Sequence, residues 1–193
     1  CVTSAGSLTM STNSRMSHID FLGHATTIIE VDGTKVLTDP VLRPRAGGLI
    51  HRHKHVLGEV RDADVVVISH LHHDHLDVPT LSALASHRAR LVMPLGNDTI
   101  ARVQDPGLRA ETHDWGDRIV LSRDVAVTLI PMRHWSARGL TDRNKALWAA
   151  FVIETPAGRI YHVADSGYGS GYHFRMARER YGPFRLAILP IGA

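Results

Sequence analysis

The chain has 193 residues, 44% of them hydrophobic and 21% charged, enough for one sizeable core in a globular protein and too mixed for a disordered or fibrous one. Lys and Arg exceed Asp and Glu by 22 − 19 = 3, an excess that suits an anionic small-molecule substrate and is too weak to argue a nucleic-acid partner. One cysteine excludes an internal disulfide framework, which favours a cytoplasmic location.

Residues 1–17 are rich in Ser and Thr and read as a flexible leader or an alternative start upstream of Met10 or Met16. Lipidation of Cys1 is disfavoured because no hydrophobic region precedes it. A single folded domain is expected over 18–193. Ile19-Asp-Phe-Leu22 reads as a strand, and Thr26–Val31 with Thr34–Leu37 as a hairpin around Asp32-Gly33, a type I′ turn signal. His24 and Asp39 fall at the ends of these strands. Residues 41–61, with His51-Arg-His-Lys-His55, read as a basic loop, more simply a solvated one than a substrate rim or a separate metal site.

Val65-Val-Val-Ile68 reads as a buried strand running straight into Ser69-His-Leu-His-His-Asp-His75. A lone histidine is more often a surface or satisfied core residue. Four potential ligands within six residues, His70, His72, Asp74 and His75, are different, because they are costly to pack together unless a cation satisfies them. In extended chain His70 and His72 face the same way and can grip one cation, and after a turn Asp74 and His75 can address a second. Paired cations of this kind support hydrolysis.

Downstream, Pro79–Ser86 is predicted as a helix capped by Asp77, Arg90–Met93 as a strand, and Asn97–Val103 as a helix capped by Asn97. Arg118–Leu121 and Val125–Ile130 read as strands, the second ending at Pro131-Met-Arg-His134. Ala146–Glu154 and Arg159–Ala164 read as a hairpin leading into Asp165-Ser-Gly167, followed by a helix over Tyr172–Arg180 and a strand over Leu186–Leu189. The longest uninterrupted apolar run, Ala146–Ile153, has eight residues, short of the ~20 a spanning helix needs. Trp135 and Trp148 are assigned to the core. Ligand-type residues at strand ends recur three times, which points to one edge of a layered sheet structure as the site. Monomer and homo-oligomer are both left open.

With His70-x-His72-x-Asp74-His75 followed by His134 and Asp165, the chain resembles the metallo-β-lactamase fold hydrolases. Leu22-Gly-His-Ala-Thr26, Leu37-Thr-Asp-Pro40, His134-Trp-Ser136, Asp142–Trp148, Asp165-Ser-Gly-Tyr168 and Leu189-Pro-Ile-Gly-Ala193 are similar to the branch containing N-acyl-phosphatidylethanolamine-hydrolysing phospholipase D. The resemblance implies an α/β fold of the αββα four-layer type. It also implies two divalent cations, zinc by its His-rich ligation or else manganese or iron, sharing a hydroxide. By that analogy His70, His72 and His134 hold the first metal, Asp74 and His75 the second, and Asp165 bridges them. Asp74 helps orient the nucleophile, and His24 and Asp39 support the ligands. The substrate implied is a phosphodiester or phospholipid; a lactone, an RNA or a non-catalytic metal site are the competing readings. A further ligand histidine is expected beyond residue 193, since neither His162 nor His173 fits that position.

Overall fold

The protein is described by a computed structural model covering residues 7–12, 14–43, 45–46, 49–50 and 57–191. β1 (Ser7–Thr12), β2 (Ser14–Gly23), β3 (Thr26–Val31) and β4 (Thr34–Thr38) form an antiparallel meander. Asp32 and Gly33 close the β3–β4 hairpin with φ of 48° and 75°, the left-handed pair a type I′ turn requires. β5 (Arg45–Ala46) and β6 (Leu49–Ile50) make a separate two-stranded ladder, and α1 (Leu57–Val60) is a single turn. β7 (Val65–Val67) then lies parallel to β4. α2 (Val78–Ser86) leads to β8 (Arg90–Pro94), and α3 (Asn97–Ala101) to β9 (Glu111–His113), both strands again parallel. These strands make one sheet in the order β1-β2-β3-β4-β7-β8-β9.

β10 (Arg118–Val120), β11 (Ala126–Ile130), β12 (Ala150–Thr155) and β13 (Gly158–His162) form an antiparallel second sheet. After α4 (Tyr172–Tyr181), β14 (Phe184–Ile188) pairs parallel to β13 at its edge.

Alternation along the strands assigns each side chain to a layer. Val65 and Val67 join Ile29, Val36 and Val92 against Val127, Leu129, Phe151 and Ile153 of the other sheet, whereas Val66 and Ile68 face Leu81 and Leu84 of α2. A strand buried on both faces must be apolar throughout, which is why 65–68 is an unbroken run. On the outer face of the second sheet Val152, Tyr161 and Val163 pack with Ala177 of α4. The layers are therefore helix, sheet, sheet, helix, the expected αββα sandwich.

Several elements differ from the sequence reading. Residues 7–12 and 14–17, read as leader, form β1 and extend β2; a hairpin continuing an existing meander closes only a short loop, and its Thr residues suit a strand. In the basic segment, residues 51–56, with the His51–His55 run, lie outside the described residues. Asn97 does not cap α3: Gly96 holds that position at φ 86°, and the Asn97 amide, fully buried, donates to the Pro94 and Leu147 carbonyls at 2.9 Å each. Strand β12 begins at Ala150 rather than Ala146, because the Ala149 N–H is turned aside to the Ser69 carbonyl at 2.9 Å.

Candidate metal centre

β4, β7 and β8 run parallel, so their C-terminal ends share one edge, and β3, antiparallel to β4, returns the β2–β3 turn to that same edge. This places His24, Asp39 and the 68–77 loop together. His134 follows β11, and Asp165 follows β13, at the corresponding edge of the second sheet. Three residues here, His24, Asp39 and Ala164, hold positive φ of 51°, 40° and 53°. Left-handed backbone in a residue with a Cβ costs about 1–2 kcal/mol, and such strain concentrates where a side chain must be aimed.

The ligand-type atoms gather into three overlapping groups, each with its atoms within 4.8 Å of one another: His70, His72 and His134; His24, Asp74 and His75; and His70, His75 and Asp165. In the first, His70 Nε2, His72 Nδ1 and His134 Nε2 form a triangle with sides of 2.8, 3.1 and 3.1 Å. Three imidazole nitrogens facing one another cannot all be satisfied by the one N–H each neutral ring carries. A cation at their centre removes that conflict, and the sides are near the ~3.3 Å spacing that Zn–N bonds of about 2.0–2.1 Å set around a tetrahedral ion. Burial, reinforced by the neighbouring imidazoles, holds His70 well below its ordinary pKa. Burial likewise brings His134 down to about 4 against the pull of Asp165. Both rings are therefore neutral at pH 7, the form that ligates metal.

The second group is held differently. His75 is fully buried, and burial alone would lower its pKa; Asp39 at 2.8 Å from Nδ1 and Asp165 at 3.0 Å from Nε2 overcome that and raise it to about 10. The proton that His75 shares with Asp165 stands where a cation would otherwise balance these carboxylates. Asp74 accepts from His24 Nε2 at 2.8 Å, and that hydrogen bond, with the charge on His75, outweighs burial to hold its carboxyl well below the usual range. Asp165 is lowered despite burial by the His75 hydrogen bond. The third group, His70, His75 and Asp165, takes one member from each of the other two, and the imidazoles and carboxylates together fit a pair of divalent ions.

Sequence reasoning assigned His24 and Asp39 to support. Asp39 sits behind the ligands: fully buried, it accepts from the Ser69 N–H at 2.6 Å, the Ser69 hydroxyl at 2.5 Å and His75 Nδ1. His24 stands closer than expected, within ligand distance of both Asp74 and His75. Ser69 was missed; its hydroxyl also meets His70 Nδ1 at 2.8 Å and so sets which nitrogen of that ring faces the cluster. Also missed was Arg138, whose Nη1 donates to the Leu71 and Leu76 carbonyls at 3.1 and 2.6 Å and ties the two ends of the ligand loop together. Asp142 caps the Arg138 and Gly139 N–H groups, and Asn144 bonds with Ser136, whose hydroxyl accepts from Leu71 N–H. His162 is wholly buried but reaches only Thr38 Oγ1, at 3.2 Å, and it joins no ligand group among the described residues.

Beside the clusters opens a groove of about 1300 Å³. His24, Asp74, His134 and Asp165 line it together with Phe21, Tyr168, Phe174 and Leu189, so polar chemistry and apolar wall share one space. Trp135, expected in the core, also lines it and is 40% exposed; its ring lies 4.3 Å from that of His72 and 4.8 Å from the Arg143 guanidinium. Trp148 is packed against the second core, as expected, with its indole N–H on the Met132 carbonyl at 2.9 Å.

The chain is similar to known proteins over most of its length. Residues 34–193 match the β-lactamase superfamily domain family. An uncharacterized protein of Mycobacterium tuberculosis is 36% identical over 184 residues, covering 91% of this chain and 48% of that one. N-acyl-phosphatidylethanolamine-hydrolyzing phospholipase D 1 of Caenorhabditis elegans is 30% identical over 189 residues, covering 90% and 53%. The chain thus spans about half the length of the curated relatives it matches. Among solved structures, Igni18, a metallo hydrolase of Ignicoccus hospitalis, superposes with a TM-score of 0.70 at 22% identity, covering 92% of this chain and 71% of that one. The chain belongs to the β-lactamase superfamily and has the metallo-β-lactamase fold.

Proposed function

We propose that the protein is a hydrolase dependent on two divalent cations, and that its substrate is a phosphodiester, most simply one in a phospholipid-like molecule. The observation that carries this reading is the convergence of the His70, His72 and His134 nitrogens with the His75, Asp165 and Asp74 cluster on one groove. His70, His72 and His134 would hold one ion, Asp74 and His75 with His24 the other, and Asp165 would contact both. Bound there, the ions would lower the pKa of a shared water and neutralise charge developing on the substrate oxygens. The chain's own residues do the rest. Asp39 and Ser69 fix the tautomers and angles of His75 and His70. Asp74, ionised at neutral pH, would accept a hydrogen bond from the attacking water and so help aim its lone pair at phosphorus. The apolar wall of Phe21, Tyr168, Phe174 and Leu189 suits an acyl or alkyl group. The lipid substrate in the name of the C. elegans relative supports the same substrate class.

The test is turnover of a panel: a soluble phosphodiester, an N-acyl phosphatidylethanolamine and a lactone, before and after chelation. We expect the two phosphodiesters to be hydrolysed, activity to fall at least about a hundredfold on chelation, and zinc, manganese or iron to restore it. Phosphodiester turnover that survives chelation, or turnover of the lactone alone, would overturn the reading.

A further inference from the structure

Among the described residues lining the groove, Arg133 is the only one that is cationic at every accessible pH. It precedes His134 directly, and both residues line the groove. Its main chain is held on both sides: the Arg133 N–H donates to Ser166 Oγ at 3.1 Å, and its carbonyl accepts from the Gly167 N–H at 2.9 Å. Its side chain is exposed, and among the described residues the guanidinium has no hydrogen-bond or ion-pair partner. A fixed backbone carrying an unpaired charge into a groove is the arrangement of a recognition residue, not of a structural ion pair.

Gly169 supplies the independent observation. It adopts φ 54°, and a Cβ built there would fall on the Arg133 side chain, 2.6 Å from Cδ and 2.7 Å from Cζ. The loop after Asp165 therefore leaves out a side chain where the guanidinium lies. Arg133 reaches across the Gly167–Gly169 backbone instead of being pushed away from the groove.

We propose that Arg133 is an anion anchor whose guanidinium pairs with the non-bridging oxygens of a phosphodiester in the groove, so that anionic substrates are selected over neutral esters and lactones. The planar fork of arginine matches two phosphate oxygens at once, whereas lysine offers only a point charge. The assignment rests on the hydrolase reading above for its substrate, and deepens it by naming what distinguishes one ester from another. Arg133 acts by binding; bond making and breaking stay with the metal cluster.

The experiment uses protein expressed from the whole reading frame and loaded with metal, as wild type, Arg133→Gln, Arg133→Lys and Gly169→Ala. Each is assayed on bis(p-nitrophenyl) phosphate, on a short-chain N-acyl phosphatidylethanolamine and on a neutral p-nitrophenyl ester, and each is titrated with inorganic phosphate by calorimetry. Arg133→Gln should lower the ratio of kcat/KM for phosphodiester over neutral ester about tenfold or more, chiefly through KM, and weaken phosphate binding by a similar factor. Arg133→Lys should recover part of the loss, and Gly169→Ala should shift the ratio in the same direction as Arg133→Gln. Response of both the soluble diester and the phospholipid places the anchor on the phosphodiester itself; response of the phospholipid alone places it on the headgroup phosphate in its lipid setting. A ratio unchanged within about twofold, with phosphate affinity unmoved, would overturn the assignment. If wild type hydrolyses none of the three, the hydrolase reading falls, and the phosphate titration alone decides whether Arg133 binds the anion.

Discussion

Asp39 shows how much of the site depends on a side chain that touches no substrate. One buried carboxylate receives three hydrogens, two from Ser69 and one from His75, and each points a neighbour toward the cluster. An amide of the same shape has one acceptor oxygen and an NH₂ group that would oppose either the Ser69 N–H or His75 Nδ1–H. Asp39→Asn should therefore keep the fold and let the His75 ring turn. Loss of a partner behind a ligating histidine typically costs 10–100-fold in metal affinity. We expect that loss in a competition titration with a chromophoric chelator, with an unchanged far-UV spectrum; wild-type affinity in the variant would show that His75 is oriented by something else. The opposite case is His162, buried beside the same Thr38 that β4 carries but with Nδ1 unpartnered. Burial takes its pKa down to about 4, so it remains a neutral ring at the groove and adds no charge to it.

The 68–77 loop holds its ligand-type side chains in place because other elements clamp it. Asp77 caps α2 through Thr80 N–H and hydroxyl at 3.3 and 2.6 Å and is gripped by Arg43 Nε at 2.9 and 3.0 Å, which fixes the exit. Arg138 spans the middle, bonding to Leu71 and Leu76 carbonyls. Burial lowers the Arg138 pKa against the pull of Asp77, yet it stays charged at neutral pH, and charge-assisted hydrogen bonds contribute roughly 1.5–3 kcal/mol each. Arg138→Met keeps the side-chain bulk and removes the clamp. Hydrogen exchange should then accelerate at residues 71–77, and metal should dissociate at least about tenfold faster, because local opening becomes cheaper by about 1.4 kcal/mol or more. Exchange confined to wild-type rates would sink this account. Such clamps explain what the sequence does and does not disclose. His70, His72, Asp74 and His75 are legible because four ligands follow an apolar run at strand spacing, and His134 and Asp165 because each ends another such run. Ser69 and Arg138 are common residue types; the Asp39 carboxylate that Ser69 donates to lies 30 residues away and the carbonyls that Arg138 holds more than 60, so no local pattern marks them. Strand β9, Glu111-Thr-His113, escapes because a three-residue edge strand with no fully buried side chain carries no apolar period. Trp135 was placed in the core on residue type alone, where only the tertiary structure tells a groove wall from an interior.

At the scale of the molecule the candidate metal centre is a seam between the two sheets. His70, His72, Asp74 and His75 leave the first sheet after β7, whereas His134 and Asp165 leave the second after β11 and β13. Beneath them the sheets are already joined by an apolar core in which Phe151, Leu129 and Val67 are fully buried. Ions bound across the seam would add a second tie, present only in the folded state, and a ligand that binds only the native form stabilises by about 4.1 kcal/mol when supplied at 1,000 times its Kd. For a chain of this length, where each kcal/mol moves Tm by roughly 2–4 °C, saturating metal should raise Tm by on the order of 10 °C. The two ties are separable by mutation. His134→Ala removes the second sheet's contribution to the first cluster and should abolish most of the metal-induced shift while changing the metal-free Tm little. Phe151→Leu acts on the core instead and should lower Tm to a similar degree with and without metal, because effects at sites without shared partners add. Calorimetric scans of wild type and both variants, each with metal and with chelator, make the comparison. A metal-induced shift that survives His134→Ala intact would mean that the ions are held by the first sheet alone and that the two sheets close without them.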